Sequence, residues 1–324
     1  MQKTFYDYSA FDILRDRSPL LVCDSAFDAL DIDLPCRYIR FSDYKPNPLY
    51  KDAVAGARVL RKNKCDFILA IGGGSSIDIA KCVKHFSSRD IPVMAVPTTS
   101  GTGSEATHFA AIYRKGKKMS IAAENLLPDF VVLKSDTLKT LPVYQKKCTM
   151  LDALCQAAES WWSKRATAES IEYSKKAIRL ILENMDGYLK NEDESNKNML
   201  MASNFAGKAI NITTTTAPHA MSYMLTTLYG LPHGHAVAIC FPKVWRYMKN
   251  YEYIAKAFGK PTYEEGVLYF EQLLKELEIY PPENVNTKDL DILTNSVNTQ
   301  RLKNNPIPLD RYTVKLLYKE ILEV

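Results

Sequence analysis

The sequence contains no Cys-x-x-Cys pair, and its cysteines are odd in number, so they cannot all pair into a disulfide framework. Most of them lie in apolar runs, such as Cys23 in the stretch LLVCD. The seven positions are Cys23, Cys36, Cys65, Cys82, Cys148, Cys155 and Cys240. We therefore expect reduced, buried thiols in a cytoplasmic protein.

Long apolar runs and dense basic tracts are also missing. No run approaches the length that spans a membrane, and the N-terminus MQKTFYDYSAFDIL lacks the apolar core of a signal peptide. The net charge of +5 comes from 42 basic and 37 acidic residues spread along the chain. We expect no membrane and no nucleic-acid partner. The sharpest basic cluster, YRKGKK at 113–118, fits either a solvated turn or an anion contact.

Glycine and proline are both absent from 143–186, whereas seven of the thirteen glycines occur by Gly116. A long stretch without either residue predicts long helices. At 324 residues the chain suits two domains. We predict an α/β domain over 1–142 and an all-helical domain over 143–324.

The first half alternates short apolar runs with helical patterns. Strands are predicted at 20–23, 37–41, 67–71 and 93–96, and helices at 49–63 and 76–86. This alternation predicts a parallel sheet with helices on its faces. The stretch THFAAIYRKGKKMSIAA, 107–123, has two alternating runs about a glycine turn and predicts a β-hairpin.

Two segments have the features of a phosphate-binding edge. In FILAIGGGSSIDIAK, 67–81, a buried strand runs into three glycines and then a helix, whose N-terminus attracts anions. A plain strand-to-helix turn is the alternative. VPTTSGTGSEAT, 96–107, follows the next strand with small hydroxyl residues and two glycines. Together the two segments predict a dinucleotide at the carboxyl edge of the sheet.

Asp24 ends the first predicted strand and has two interpretations. A carboxylate at this place accepts hydrogen bonds from an adenosine ribose and repels a 2′-phosphate. An aspartate before SAFDAL is equally suited to cap a helix. Both interpretations stay open at this point.

Three of the five histidines fall within the stretch PHAMSYMLTTLYGLPHGHA, 218–236. In MLDALCQAAESWWS, 150–163, helical spacing places Asp152 and Gln156 on one face. One carboxylate with the imidazoles of His219 and His233 is a sufficient protein set for a catalytic divalent ion. His235 reads as a neighbour of that set. For each histidine taken singly, a satisfied core or surface position is the alternative.

The motifs GGGSSIDIAK, PTTSGTGSEAT, DALCQAAESWWS and HAMSYMLTTLYGLPHG occur in the order found in the iron-containing (group III) alcohol dehydrogenase family, which the chain resembles over nearly its whole length. KPNP at 45–48 and VNTQRLKNNP at 297–306 also fit. The resemblance implies a Rossmann-like N-terminal domain that binds NAD(H) and a helical C-terminal domain that binds metal and substrate. It further implies an active site in the cleft between them, a divalent metal (Fe²⁺ or Zn²⁺) and a homo-oligomer, usually a dimer.

Site residues carry over position by position. Asp152, His219 and His233 match three of the four family metal ligands, and Asp24 matches the carboxylate that favours NAD over NADP. The remaining matches lie beside the cofactor and are Asn47, Gly73, Gly74, Ser75, Asp78, Thr98, Thr99 and Thr102.

Two departures from the family pattern bear on the chemistry. Gln156 stands where the family has its fourth ligand, a histidine, and Tyr223 stands where a second histidine is frequent. The amide oxygen of Gln156 would be a harder and weaker ligand, so lower metal affinity is expected. A metal-free reductase is the competing interpretation. The chain is also shorter than typical members, notably between Lys81 and Val93.

The segments DALCQAAESWWS, GKAINITTTTAPHAMSY, LYGLPHGHAVAICFP and AAENLLPD are most similar to the phosphonoacetaldehyde reductase branch. This implies NADH-dependent reduction of phosphonoacetaldehyde to 2-hydroxyethylphosphonate, assisted by a metal acting as a Lewis acid. Catalytic roles are expected for His233 and for Tyr223, which either donates the proton or only packs. Cationic partners for the phosphonate are sought among His108, Lys147 and the Lys117–Lys118 pair.

Other functions remain open. A succinate semialdehyde or lactaldehyde reductase would share this chemistry, and a lyase resembling dehydroquinate synthase would share the NAD and metal sites. The segments PTTSGTGSE and LPHGHA argue against the lyase. A catalytically silent NAD-binding protein, having lost its metal through Gln156, belongs to a different class.

Overall fold

The computed structural model describes residues 2–114 and 117–324, without the side chains of 117 and 118. The chain divides into two compact units. The first comprises Met1–Pro142 with Asp186–Gly207, and the second comprises Val143–Met185 with Lys208–Val324. Part of the basic cluster at 113–118 therefore lies outside the described residues.

The first unit is built on a parallel sheet. Its strands and those of a separate hairpin are β1 (Lys3–Phe5), β2 (Pro19–Cys23), β3 (Ile39–Phe41), β4 (Phe67–Gly72), β5 (Val93–Pro97), β6 (Phe109–Arg114), β7 (Lys117–Ala122) and β8 (Phe130–Val132). The sheet order is β1-β8-β5-β4-β2-β3, and every pairing is parallel. β6 and β7 pair antiparallel, as the hairpin prediction required.

The central strands are continuous apolar runs because both faces of the sheet are covered. Alternate residues of β2, β4 and β5 point to opposite cores. On one face the core is completed by α1 (Tyr50–Lys62) and α2 (Gly74–Ser87), and on the other by a 3₁₀ segment, Tyr8–Leu14. The predicted fold class is confirmed for this unit.

The remaining helices are α3 (Val143–Trp162), α4 (Ala168–Leu189), α5 (Asp193–Thr213), α6 (Ala217–Tyr229), α7 (His233–Met248), α8 (Glu252–Ala257), α9 (Tyr263–Glu276), α10 (Asp289–Ser296), α11 (Thr299–Leu302) and α12 (Arg311–Leu322). The first two of them, α3 and α4, begin in the stretch 143–186, where long helices are predicted. α7 packs against both α3 and α6. These two contacts bring together the helices that hold the histidine and aspartate candidates.

The end of α4 and most of α5 belong to the first unit, although the sequence division at 142/143 assigns them to the second. That division remains a prediction. Among the described residues, no helix combines the length and the apolar character needed to cross a membrane.

Candidate active site

The glycine segment after β4 and the threonine segment after β5 pack directly against each other. A Cβ built on Gly73 would lie 3.1 Å from Thr99 Cγ2, and one built on Gly74 would lie 2.6 Å from Thr102 Oγ1. The glycines therefore allow the two segments to approach closely. The first amides of α2, at Gly74 and Ser75, are among those that a helix leaves without an intrahelical acceptor. This edge of the sheet combines close-packed backbone with a helix N-terminus, which suits a pyrophosphate.

Asp24 lies at the same edge and caps a short 3₁₀ helix, Ser25–Ala29. Its Oδ1 accepts a hydrogen bond from the amide of Ala26 at 2.9 Å. Its Oδ2 accepts a hydrogen bond from Ser76 Oγ at 3.2 Å. The capping interpretation is thus correct, and the contact with Ser76 places this carboxylate beside the glycine segment.

Two further cofactor candidates flank the glycine segment. Asn47 adopts a left-handed backbone conformation with φ of 59°, and its amide lies 3.4 Å from Ser75 Oγ. Thr98 is buried, and its amide donates to the carbonyl of Gly72 at 3.1 Å. Both positions contact the edge that the sequence motifs indicate.

Asp78 is bound to protein groups rather than open to a ligand. Its Oδ1 accepts from Ser104 Oγ, and its Oδ2 accepts from the amide of Ala111 at 2.8 Å. The fully buried Lys81, one turn later, donates to Ser104 Oγ and to Thr107 Oγ1, both at 3.1 Å. α2 therefore fastens the threonine segment through these two side chains, and Asp78 acts by positioning.

In the second unit, three candidate metal ligands meet in space. Asp152 projects from α3, His219 from α6 and His233 from the first turn of α7. One ligand atom from each lies within 4.8 Å of the others. His219 Nε2 is 3.1 Å and His233 Nε2 is 3.9 Å from Asp152 Oδ1. Asp152 and His219 are buried, and His233 is partly exposed, so the cluster opens on one side.

Gln156 lies one turn after Asp152 and is also buried, at 3% exposure. Its amide oxygen Oε1 is buried and has no hydrogen-bond partner among the described residues. An unpaired buried acceptor costs free energy, about 1–3 kcal/mol, unless something binds it. The Oε1 atom of Gln156 is therefore available to bind a ligand such as a metal ion.

Sequence analysis missed Glu159, which is fully buried and orders the cluster from behind. Its Oε1 accepts from His219 Nδ1. Its Oε2 accepts from the amide and the hydroxyl of Thr216, at 2.7 and 2.8 Å. The signal was present, because Glu159 lies seven residues after Asp152 on the same helical face. Such a carboxylate fixes the tautomer of a ligating histidine and leaves Nε2 for the metal.

The charges in the cluster reinforce one another. Burial opposes ionisation of Asp152, but His233, His219 and Gln156 outweigh it, and the pKa of Asp152 is lowered. Burial also opposes protonation of His219, yet its contacts with Glu159 and Asp152 raise its pKa. Two buried carboxylates on one imidazole make this a place where positive charge is stabilised.

The other groups near the cluster have distinct environments. The ring of Tyr223 stacks on the ring of His233, with centroids 5.6 Å apart and planes at 12°. His235 is turned elsewhere, since its Nε2 contacts the carbonyl of Tyr280 at 2.7 Å and its Nδ1 contacts the hydroxyl of Tyr144 at 2.8 Å. His235 is therefore a neighbour of the cluster and not a member.

Comparison with known proteins shows the family of the chain. The family model "Iron-containing alcohol dehydrogenase" matches residues 11–135, and the model "Fe-containing alcohol dehydrogenase family, C-terminal" matches residues 147–322. This chain is a member of the iron-containing alcohol dehydrogenase family.

A phosphonoacetaldehyde reductase of Streptomyces viridochromogenes is 30% identical over 322 residues, covering 86% of this chain and 82% of that protein. Among solved structures, a sulfoacetaldehyde reductase of Bifidobacterium kashiwanohense in complex with NAD⁺ superposes with a TM-score of 0.88 and 24% identity, covering 100% and 97% of the two chains. An iron-containing alcohol dehydrogenase of Thermotoga maritima gives a TM-score of 0.87 at 25% identity, covering 100% and 98%.

Iron-containing alcohol dehydrogenases are aldehyde and alcohol oxidoreductases that bind NAD and a metal, and the residues here fit both groups. The metal fit rests on the unpaired Gln156 Oε1 beside a carboxylate and two imidazoles. Such a set of one or two oxygens and two nitrogens suits Fe²⁺ or Zn²⁺. The cofactor fit rests on the close-packed glycine and threonine segments and the first amides of α2.

The structure gives no support to the residues that were expected to bind a phosphonate. Lys147 pairs with Glu278, its Nζ lying 3.1 Å from Oε2. The side chains of Lys117 and Lys118 lie outside the described residues, and His108 belongs to the first unit, where its ring packs edge-on against Phe109.

Proposed function

We propose that this chain catalyses the NADH-dependent, metal-assisted reduction of a small aldehyde to a primary alcohol, with phosphonoacetaldehyde as the substrate and 2-hydroxyethylphosphonate as the product. The observation that supports this most is the buried cluster of Asp152, His219 and His233 with the unpaired amide oxygen of Gln156. The similarity to a phosphonoacetaldehyde reductase over most of both chains supports the choice of substrate.

Asp152, His219, His233 and Gln156 would hold the divalent metal in the second unit. The bound metal supplies Lewis acidity, which lowers the barrier to hydride attack on a carbonyl. Glu159 accepts a hydrogen bond from His219 Nδ1 and so keeps the proton on that nitrogen, which would leave the lone pair of Nε2 for the metal. The half-buried position of His233 leaves one side of the cluster open to a small molecule.

In the first unit, the segments at 73–75 and 98–102 would bind the dinucleotide, whose reduced nicotinamide supplies the hydride. Asp24 and Asn47 lie beside the glycine segment. Asp24 disfavours a 2′-phosphate by its negative charge, which supports NADH over NADPH. Asp78 and Lys81 keep the threonine segment in place without contacting the cofactor.

Tyr223 is the proposed proton donor for the developing alkoxide. A neutral phenol is protonated at pH 7, as a donor must be. Its ring is held against His233, at the open side of the cluster. The phenol would donate its proton to the alkoxide and become a phenolate, and a proton from water would then restore the phenol.

The decisive experiment follows NADH oxidation by purified protein with phosphonoacetaldehyde, succinate semialdehyde, lactaldehyde and propionaldehyde. Each is assayed after chelation and after adding back Fe²⁺ or Zn²⁺, and NADPH replaces NADH in a parallel series. We expect metal-restored turnover with phosphonoacetaldehyde preferred.

Activity that survives chelation with no bound metal would establish the metal-free alternative and overturn the metal assignment. The absence of NADH consumption with every aldehyde and metal would overturn the proposed function and favour the silent binding protein. Equal kcat/KM for charged and uncharged aldehydes would overturn the choice of substrate.

A further inference from the structure

Arg301 is a half-buried cation without a carboxylate partner in the part of the chain that the structure describes. Its Nη1 donates to Thr215 Oγ1 at 3.2 Å, and its guanidinium lies over the ring of Tyr223, 5.4 Å from the centroid. A guanidinium has five N–H donors, so most of its hydrogen-bonding capacity is unused here. Partly buried charges are normally paired, which makes an unpaired one a candidate for ligand binding.

One aromatic ring, that of Tyr223, lies between Arg301 and the cluster of Asp152, His219 and His233. Tyr223, which the guanidinium covers, stacks on His233 with a centroid distance of 5.6 Å. His233 Nε2 in turn lies 3.9 Å from Asp152 Oδ1. Arg301 and His233 thus lie against the same tyrosine ring.

The segment that bears Arg301 is rigidly anchored. α11 is capped by Asn298, whose side chain accepts from the amide of Gln300 at 2.9 Å. Asn304, buried just after the helix, donates to the carbonyls of Thr213 and Thr215 at 2.8 and 3.1 Å. The same loop leads into α6, which bears His219 and Tyr223. The guanidinium is therefore held by the backbone that also orders the cluster.

We infer that Arg301 is a specificity-determining residue that binds the anionic headgroup of the substrate, and that this headgroup is a phosphonate. The inference rests on the proposed function and deepens it. A guanidinium matches phosphonate oxygens with two parallel hydrogen bonds, which a neutral aldehyde does not offer. Lys147 is a poorer candidate because Glu278 already neutralises it. The substrate class is thus a short aldehyde with a phosphonate at its far end.

The test compares wild type with Arg301→Gln and Arg301→Lys, and Arg311→Gln at an exposed position serves as a matched control. Steady-state kinetics are measured with phosphonoacetaldehyde and with propionaldehyde. We expect the ratio of kcat/KM for the two substrates to fall at least about 30-fold in Arg301→Gln, chiefly through KM. Arg301→Lys is expected to fall between Gln and wild type, since it keeps the charge but not the fork.

A binding measurement separates this inference from the proposed function. The product 2-hydroxyethylphosphonate is titrated calorimetrically into each variant, whether or not the protein turns over any aldehyde. Loss of this binding in Arg301→Gln, with folding verified by circular dichroism, supports the inference even where turnover fails. Unchanged binding, or an equal fall in kcat/KM for both aldehydes, would overturn it and leave Arg301 as a structural partner of Tyr223.

Discussion

Gln156 contributes a neutral oxygen to a group that otherwise contains one carboxylate and two imidazoles. Replacing the imidazole of the resembled family by an amide leaves the formal charge of the site unchanged, so its effect falls on ligand strength alone. The unpaired Oε1 indicates that this amide still takes part. We therefore expect the substitution to lower metal affinity without abolishing the site.

Gln156→His is expected to tighten Fe²⁺ or Zn²⁺ binding at least about tenfold, because nitrogen is a stronger ligand than an amide oxygen for these ions. Gln156→Ala is expected to weaken binding. Competition with a chromophoric chelator measures both, and the exposed Gln272→His controls for binding to an added histidine. Equal affinity of Gln156→Ala and wild type would show that the amide is not a ligand.

Glu159→Gln removes a buried charge while keeping the size of the side chain. The amide cannot accept from both His219 and Thr216, so His219 loses its fixed tautomer. We expect metal affinity to fall about 10–100-fold. We also expect the free energy of unfolding to fall by about 1–3 kcal/mol. Chelator competition and urea unfolding measure the two effects. Glu183→Gln, at an exposed position on α4, should change neither.

At this scale the residue types and their spacing were enough to predict Asp152, His219 and His233. Histidine is rare in this chain, and His219 and His233 are two of only five. Glu159 and Arg301 were not predicted, although Glu159 lies on the same face of α3 as Asp152. Glutamate and arginine are common on helices. The role of Glu159 depends on its burial and that of Arg301 on its lack of a carboxylate partner among the described residues, and only the fold reveals these two features.

Between elements, the contact of α5 with the threonine segment depends on two glycines. A Cβ on Gly207 would lie 2.6 Å from the carbonyl oxygen of Gly103, and Gly103 itself has a left-handed φ of 58°. The long helix approaches the cofactor edge only because neither residue has a side chain. The geometry of the threonine segment is therefore set partly from α5.

Gly207→Ala tests this contact. In an open helix the change would stabilise the protein by about 0.5–1 kcal/mol. Overpacking against Gly103 costs about 1–3 kcal/mol, so we expect net destabilisation and weaker NADH binding. Urea unfolding and NADH fluorescence titration measure the two quantities.

Gly259→Ala is the control for Gly207→Ala. It adds strain at a φ of 71° with no atom within 4 Å of the new Cβ, so it should lower stability and leave NADH affinity intact. A Gly207→Ala protein as stable as wild type would refute the close approach.

The elements that sequence patterns predicted are those with their own signal, namely β2, β3, β4, β5, α1, α2 and the hairpin. β1 and β8, with three residues each, were not predicted. They exist because they pair with each other across the chain, with Lys3 opposite Phe130. Such pairing is a property of the assembled sheet, and the sequence of neither strand contains a pattern that predicts it.

Over the whole molecule, the burial and the pKa values of the seven cysteine thiols indicate how completely the cores of the two units exclude water. All seven are free, and burial raises the pKa of the most enclosed ones, Cys82, Cys155 and Cys240. Each of these three is fully buried. They stay protonated in the folded protein under conditions in which an unfolded chain would ionise them. The predicted buried thiols are thus found in both units.

This difference predicts that the protein becomes less stable above about pH 9. A group whose pKa is raised by folding contributes fully below its unfolded pKa, here 9.0, and the contribution is lost as the pH rises further. Each such thiol lowers the free energy of unfolding by about 1.4 kcal/mol per pH unit in that range. Lys81 acts in the opposite direction, because burial lowers its pKa to about 8, but it is one group against three.

Urea unfolding under reducing conditions, at pH values from about 8 to about 10, measures this decline. Replacement of Cys82, Cys155 and Cys240 by alanine is the matched variant. It should be less stable at every pH because it leaves cavities, but its stability should fall less steeply above pH 9. Alkylation of the three thiols in the native protein should require unfolding. An unfolding free energy that stays constant, or rapid native-state alkylation, would show that these cores admit water and would contradict the prediction.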